Sequence, residues 1–366
     1  MSDYWKHQLS KVIDYFTRQK KPSFVLMATG LALLAGQKVI NFAITGTFSW
    51  GTLSVGTAES NVVTDYIIPA LGVTLIIVGM VLIAINEALA LRQNTKKRII
   101  LITGDGLRTT VGTGIETTAK AILKGTIHPS GINITQQIRD GVVIEPERVF
   151  TRQIQPVKEN LSQLFANTTP GTTQVAYGGF LPVPFTFFLG NVLDDKGDVN
   201  VFDWDRGNEC WKHISDNNPD DGESFISETV RSSTSDQTVL VLSCSYRVDI
   251  SQVERSFAET GIEHLMLPTN TFNNHWSLAK QRRLSMQFAE TIKSLSSQGI
   301  KRIHLILAAQ SSVVLNLARR YDSRNMPELI VYQYEQSTDN PYPWGIYALS
   351  HGHEDGGFVW HMQNGV

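Results

Sequence analysis

Residues 302–319 read RIHLILAAQSSVVLNLAR: a short apolar run, a turn of small residues, and an apolar stretch. This order is typical of a buried strand of a parallel sheet that leads into a helix. The same order occurs at residues 174–191, QVAYGGFLPVPFTFFLGN. Each segment is followed by an alternating run, VNVFDWDR at 199–206 and LIVYQYEQ at 329–336, which predicts one more strand. The chain therefore contains two similar α/β segments about 130 residues apart.

The similarity extends upstream of these segments. RIILIT at residues 98–103 and TVLVLS at 238–243 predict a first buried strand in each copy, and residues 157–165 and 277–297 predict helices. The matching order predicts an α/β domain of two fused Rossmann-like units over residues 97–366. Half one covers about 97–215, half two covers about 236–366, and a polar stretch joins them. The alternative is chance similarity between two α/β segments.

The first ninety residues have a different character. Residues 67–85, IIPALGVTLIIVGMVLIAI, carry no charge and as a helix would cross the roughly 30 Å of a bilayer core. Residues 22–36 are also apolar, and after Gln37 and Lys38 an apolar stretch resumes. We therefore predict a two-helix transmembrane region over residues 22–91. Residues 1–21 have one apolar helical face, which would lie on the membrane surface or pack against the soluble domain.

Charges on either side of the spans predict the orientation. Five Lys or Arg residues precede the first span, and Arg92, Lys96, Lys97 and Arg98 follow the second, whereas residues 48–66 carry only two acidic residues. The positive-inside rule therefore predicts a multi-pass protein of the inner membrane with both termini in the cytoplasm. The two cysteines are far apart in sequence and would stay reduced there.

Polar residues interrupt the first predicted span. Gln37, Asn41 and Thr45 recur every four residues beside Lys38, which predicts one polar stripe on a helix. Ionisable groups at membrane depth usually face protein or water, so Gln37, Lys38 and Asn41 are candidate membrane or assembly residues. The alternatives are that the span ends near Gly36, or that Lys38 extends to the interface.

Small residues recur at helical spacing in both predicted spans. They are Ala28, Ala32 and Gly36 in the first, and Gly72 and Gly79 in the second. Small faces allow transmembrane helices to approach closely, so we expect helix packing through these residues.

The predicted strand ends identify candidate ligand-binding residues. Ligands of parallel α/β sheets bind beyond the carboxyl ends of strands, and helix N-termini there favour phosphate. Among these residues Arg247 offers charge, Tyr246 and Phe180 offer stacking, and Gln310 offers hydrogen bonds to a base. The candidates are Gly104, Asp105, Gly178, Gly179, Phe180, Ser245, Tyr246, Arg247, Gln310 and Ser311. Trp344 would stack on a base or cover the sheet edge.

No motif predicts catalysis or metal binding. The glycine-rich run at 104–114 matches neither the dinucleotide fingerprint nor a P-loop. HGHED at 351–355 lacks a further ligand at a recognised spacing. Asp203 and Asp205 flank Trp204, and alternation at a strand end explains them more simply than acid–base work. We therefore expect no catalytic site, no metal and no cofactor. The net charge of −2 also argues against DNA as a partner.

Two long stretches of the chain resemble the SAVED domain. They are YGGFLPVPFTFFLGN with VNVFDWDRGNECWKH in half one, and HLILAAQSSVVLNLARR with ELIVYQYEQS and YPWGIYAL in half two. The resemblance implies two fused CARF-like Rossmann units that bind a cyclic di- or trinucleotide second messenger in a bacterial CBASS anti-phage system. Pro182 and Pro184 stand where half two has Gln310 and Ser312, so the two half-sites would differ.

Some CBASS effectors couple two transmembrane helices to SAVED, which matches the order of parts here. The resemblance therefore implies that ligand binding drives assembly into an oligomer or filament, and that this disrupts the lipid membrane and causes abortive infection. Two other classes stay open: a membrane-anchored nucleotide-dependent enzyme, and a membrane scaffold that binds no nucleotide.

Overall fold

The computed structural model of the chain describes residues 22–35, 44–48, 51–55, 66–107, 114–166, 172–194, 197–336 and 340–361. The chain divides into two units, Met1–Asn94 and Thr95–Val366. The predicted N-terminal segment 1–21 and the candidates Gln37, Lys38 and Asn41 lie outside the described residues.

The described residues of the first unit form two apolar helices and a β-hairpin. They are α1 (Pro22–Ala35), β1 (Ile44–Phe48), β2 (Gly51–Val55) and α2 (Ile68–Lys96). Within the described part of the chain, Ile68–Asn86 of α2 is the one segment long and apolar enough to cross a membrane. The 14 residues of α1 extend about 21 Å, which is less than the bilayer core. The predicted polar stripe on one continuous helix is wrong at Thr45, because that residue pairs with Ser54 in the hairpin.

Glycines bring α1 and α2 into backbone contact. A methyl group on Gly30 would lie 2.5 Å from the carbonyl oxygen of Gly72, and one on Gly79 would lie 2.8 Å from that of Ser23. The helices are therefore antiparallel and closely packed, as small residues permit. The predicted packing role of Gly72 and Gly79 is confirmed. Ala28 and Ala32 are exposed, so α1 uses a different face from the predicted one.

The second unit begins with a five-stranded sheet. Its strands lie in the order β4–β3–β7–β8–β9, with the first four parallel and β9 antiparallel. The elements of this half are β3 (Arg98–Asp105), α3 (Ile115–Ile122), β4 (Thr126–Asn133), β5 (Ile138–Arg139), β6 (Val142–Val143), α4 (Pro146–Val149), α5 (Val157–Ala166), β7 (Thr173–Gly179), α6 (Val183–Val192), β8 (Val199–Asp205) and β9 (Cys210–His213).

A seven-stranded sheet follows. Its order is β10–β12–β11–β13–β14–β15–β16, with β12, β11, β13 and β14 parallel. The elements are β10 (Ile226–Arg231), β11 (Gln237–Ser243), α7 (Ile250–Ser256), β12 (Gly261–Met266), α8 (Leu278–Ser297), β13 (Arg302–Ala308), α9 (Ser311–Ala318), β14 (Glu328–Tyr332), β15 (Trp344–Tyr347) and β16 (Gly357–Trp360).

Both sheets contain the same parallel core. The strand that comes first along the chain in each core lies second in that core, between the second and third strands along the chain, and an antiparallel strand follows the fourth. The predicted strands at 98–103, 174–177, 199–206, 238–243, 302–307 and 329–336 and the predicted helices at 157–165 and 277–297 correspond to observed elements, although β14 already ends at Tyr332. The second strand of each core, β4 and β12, has no counterpart in the sequence-based prediction.

Helices α6 and α9 connect the two halves. They pack against each other, and each also contacts strands of the other half's sheet. Phe187 of α6 belongs to the core of the second sheet, while Leu315 of α9 belongs to the core of the first. A helix that is buried all round must be apolar all round, which explains FTFFLG in α6.

Trp344 lies in this core and not at a ligand site. It is 1% exposed, packs beside Phe185, and donates a 2.8 Å hydrogen bond from Nε1 to Glu335. The predicted stacking of Trp344 on a base is therefore not compatible with its position, because β15 adds to the sheet and buries the ring.

Candidate ligand-binding site

A pocket of about 260 Å³ lies where the carboxyl ends of strands from both halves meet. Leu107 and Phe180 follow β3 and β7, Ser245 follows β11, and Gln310 follows β13. The pocket is also lined by Leu181, Val183, Thr186, Asp203, Trp204, Arg206, Tyr246, Phe272, Asn273, His275, Trp276, Ala309, Ser311 and Val314. The location is the one at which parallel α/β sheets bind ligands.

Five of the predicted ligand-binding residues line this pocket. They are Phe180, Ser245, Tyr246, Gln310 and Ser311. The sequence-based argument from strand ends therefore brought together residues of both halves that are adjacent in the fold.

The predicted glycines are buried packing positions behind the lining. A methyl group would lie 2.7 Å from the Gly104 carbonyl oxygen if placed on Gly179, and 2.2 Å from Ile115 if placed on Gly178. A methyl group on Gly104 would likewise lie 2.6 Å from the side chain of Leu181. These glycines allow the strands and the turn after β7 to approach each other and offer no surface to a ligand.

Asp105 and Arg247 are also outside the pocket lining. Partial burial raises the pKa of the Asp105 carboxyl group above its usual range. Arg247 lies beside Met266, with its Nη2 atom 3.6 Å from Sδ. The predicted ligand contacts of these two residues stay predictions.

Aromatic side chains form much of the pocket wall. Phe180 and Trp204 meet edge to face with 6.4 Å between ring centroids, and Trp276 of the loop after β12 also lines the pocket. Tyr246 and Phe272 stand at the pocket with 54% of each residue exposed. Exposed aromatic rings beside a pocket provide flat surfaces on which nucleobases stack.

Asp203 connects the two halves at the base of the pocket. One carboxylate oxygen accepts a 2.8 Å hydrogen bond from the backbone N–H of Trp204, and the other accepts a 3.0 Å bond from that of Ser312 in the first turn of α9. A negative charge at a helix N-terminus is stabilising. Tyr177 and Ser311 add a 3.1 Å hydroxyl–hydroxyl hydrogen bond across the same junction.

His275 is enclosed beside this carboxylate. Its Nε2 atom lies 3.6 Å from Asp203 Oδ2, and its ring packs against that of Trp276, with 4.2 Å between centroids and 35° between the ring planes. Burial lowers the pKa of His275, and the negative charge of Asp203 only partly opposes this. The imidazole is therefore neutral at neutral pH.

The positive charge of the pocket comes from Arg206. This exposed side chain follows β8, and Nη1 donates a 3.3 Å hydrogen bond to the Tyr246 hydroxyl group. An arginine guanidinium is a preferred partner of phosphate. The pocket therefore combines aromatic surfaces, one arginine and buried polar groups.

The lining residues that were not among the predicted site residues include Asp203, Trp204, Arg206, Phe272, His275 and Trp276. The first three end a correctly predicted strand, β8, so the strand-end argument would have included them had it been applied there. The other three lie in the loop after β12, a strand that was not predicted.

A second, larger cavity of about 510 Å³ lies at the opposite ends of α6 and α9. Its lining includes Asn191, Arg319 and Arg320. Arg319 is held by the backbone carbonyls of Leu193 and Gly197, which explains its partial burial. Among the described residues, no three His, Cys, Asp or Glu side chains cluster as metal ligands would.

Comparison with known families accounts for most of the chain. The sequence model of the SAVED domain, the SMODS-associated and fused to various effectors sensor domain, matches residues 153–347. The chain belongs to the SAVED family. The model of the SAVED-fused 2TM effector domain matches residues 3–150, so this SAVED protein carries a membrane-associated effector domain.

Solved structures of two SAVED/CARF-domain containing receptors resemble the chain. The Cap4 receptor of Acinetobacter baumannii with the cyclic trinucleotide 3'3'3'-cAAA has a TM-score of 0.46 and 12% identity, over 67% of this chain and 51% of the receptor. The Cap4 receptor of Moraxella osloensis has a TM-score of 0.42 and 10% identity, over 67% and 49%. The chain thus spans about half the length of these receptors. No curated protein sequence matches the chain.

Proposed function

We propose that this SAVED-family chain is the membrane effector of a bacterial CBASS anti-phage system, and that the pocket between its two halves binds a cyclic oligonucleotide second messenger. One observation carries the proposal: strand ends of both halves converge on a single pocket that has aromatic walls and an arginine. The shared order of the parallel strands supports the view that the halves are two fused CARF-like Rossmann units.

The chemistry of the pocket suits nucleotides. Stacking of a base on an aromatic side chain contributes about 1–3 kcal/mol, and Arg206 provides a partner for a phosphate. The volume of about 260 Å³ is slightly below the roughly 300–1,000 Å³ of typical ligand pockets. It would enclose one nucleotide of a cyclic ligand, while the rest of the ring would extend over the exposed Tyr246 and Phe272.

The effector step would take place in the membrane. We propose a multi-pass arrangement in the bacterial inner membrane with both termini in the cytoplasm, in which ligand binding drives homo-oligomer or filament formation. Two helices in backbone contact enclose no pathway by themselves, so disruption of the lipid bilayer would require several copies. Gln37, Lys38 and Asn41 would then be buried between copies or line water. The chain would act without catalysis.

Binding is tested with the full chain in detergent micelles and a panel of cyclic di- and trinucleotides. Titration calorimetry measures the affinity for each ligand, and light scattering measures the particle size. We expect tight binding of one member together with growth in particle size. Tyr246→Ala should weaken binding by about 5–150-fold, because it removes one stacking surface. Tyr334→Ala is the matched control, since this tyrosine is also exposed and lies outside the pocket.

No binding by the folded chain to any member would refute the proposal. Hydrolysis of the bound ligand during incubation would contradict the non-catalytic role. The membrane step is tested by dye release from vesicles of phosphatidylethanolamine and phosphatidylglycerol that contain the full chain. Release should depend on the ligand, and ligand binding without release would refute membrane disruption.

A further inference from the structure

Two polar side chains in the pocket wall have atoms that lack a hydrogen-bond partner although these atoms are shielded from water. Both ring nitrogens of His275 and the Oε1 atom of Gln310 are buried and unpaired. Buried polar atoms are nearly always paired, so unpaired ones in a pocket wall suggest that a ligand completes them. His275 is 4% exposed, and it is one of the residues that line the pocket.

Gln310 presents an acceptor to the pocket. Its Nε2 atom lies 3.5 Å from the backbone carbonyl oxygen of Thr271. A carbonyl oxygen only accepts hydrogen bonds, so the amide nitrogen must face Thr271. This orientation leaves Oε1, a pure acceptor, as the unpaired atom.

His275 presents a second acceptor. The nearby Asp203 carboxylate only accepts, so the proton of the neutral imidazole lies on Nε2, the nitrogen at 3.6 Å from it. Nδ1 is then the acceptor. The His275 ring packs against that of Trp276, and the backbone carbonyl of His275 accepts a 2.6 Å hydrogen bond from Gln281.

We propose that His275 and Gln310 determine base specificity, and that they select a cyclic oligonucleotide whose enclosed base carries an exocyclic amino group. This inference rests on the proposed function of the pocket. Amino groups of adenine, guanine and cytosine donate hydrogen bonds, whereas hypoxanthine and uracil carry only carbonyl oxygens outside the ring. A carbonyl oxygen placed against two acceptors would leave them unpaired, which is the strongest basis for rejecting a close analogue.

Hypoxanthine is the amino-free counterpart of both adenine and guanine, so inosine rings are the matched probes. The dissociation constants of cyclic di- and trinucleotides of adenosine, guanosine and inosine are measured on the full chain in detergent. We expect at least one amino-bearing ring to bind about 5–150-fold more tightly than the inosine ring of the same size. His275→Phe and Gln310→Leu should each reduce that ratio, and Gln298→Leu, at the exposed end of α8, should leave it unchanged.

The outcomes separate this inference from the proposed function. Equal binding of inosine and amino-bearing rings would overturn the inference and leave the proposed function standing. A preference that survives in both variants would overturn the assignment to His275 and Gln310. Failure of every ring to bind would refute the proposed function, and this inference with it. Gln310→Leu alone is decisive if the buried His275→Phe does not fold, because Gln310 is only partly buried.

Discussion

Substitution of Gly190 by alanine tests how closely the two halves are joined. Gly190 lies in α6, where it faces α9. A methyl group at this position would lie 2.6 Å from both the carbonyl oxygen of Leu315 and the Cβ atom of Ala318. Real Cβ atoms do not approach other heavy atoms this closely. Because the obstacle includes the α9 backbone, the clash is relieved only if the two helices separate.

Two opposing effects determine how much Gly190→Ala changes the free energy of unfolding. Alanine is favoured over glycine in a helix interior by about 1 kcal/mol. Overpacking of a filled core costs typically about 1–3 kcal/mol, and contact with backbone puts Gly190→Ala in the upper part of that range. The net loss is about 1–2 kcal/mol, which lowers the melting temperature by about 2–8 °C. Ligand affinity should also fall, because the N-terminal ends of α6 and α9 line the pocket.

The measurement is thermal unfolding of the full chain in detergent, followed by tryptophan fluorescence. Gly207→Ala serves as the control, because the nearest atom to a methyl group there is at an ordinary contact distance of 3.4 Å. We expect this control to melt at the wild-type temperature or slightly above it. If Gly190→Ala melted no lower than the control, helix contact would not limit the approach of the halves, and the packing argument would be wrong.

Three further predictions concern single charges. Burial lowers the pKa of His304 to about 4, so the unfolded chain binds a proton at this residue more readily than the folded chain does. The free energy of unfolding should therefore fall below about pH 6.5, by about 2 kcal/mol at pH 5. In His304→Gln the melting temperature should lose this part of its pH dependence. Lys280→Met should destabilise the protein by about 1–3 kcal/mol, because this 1% exposed lysine lies within 3.0 Å of the carboxylates of Asp221 and Glu223, in the polar stretch that joins the two halves. The control is Lys301→Met, which removes an exposed ion pair and should change the melting temperature little. Arg206→Ala should weaken ligand binding and reduce its salt dependence, while Arg206→Lys should keep the salt dependence; equal salt slopes in both variants would exclude a phosphate contact.

The central strands were predictable because they are buried on both faces. RIILIT and TVLVLS are continuous apolar runs for that reason, and they form β3 and β11. One neighbour of each, β4 and β12, carried no such pattern. Strand β4 is an edge strand that contains Pro129 and Gly131, and of its residues only Ile132 is buried. Strand β12 has Glu263 and His264 in its middle. Tertiary pairing, not local pattern, makes these two segments strands.

The site was predictable to the same extent as its strands. Phe180, Tyr246 and Gln310 follow predicted strands, and all three line the pocket. His275 lies in the loop after β12, so this lining residue was missed together with the strand that precedes it. The hydrogen bond from Ser312 to Asp203 joins residues 109 positions apart, and no local pattern indicates such a contact.

The exchange of core residues between the halves has a consequence for the lifetime of the protein in the cell. Because Phe187 completes the core of one sheet and Leu315 that of the other, neither half retains a closed core without its partner. The two halves should therefore unfold together, with one free energy. A messenger bound at their junction would then raise that free energy for the whole domain and lower the unfolded fraction that proteases degrade. Degradation of the protein would therefore be slower while the messenger is present, and removal of the messenger would restore the original half-life.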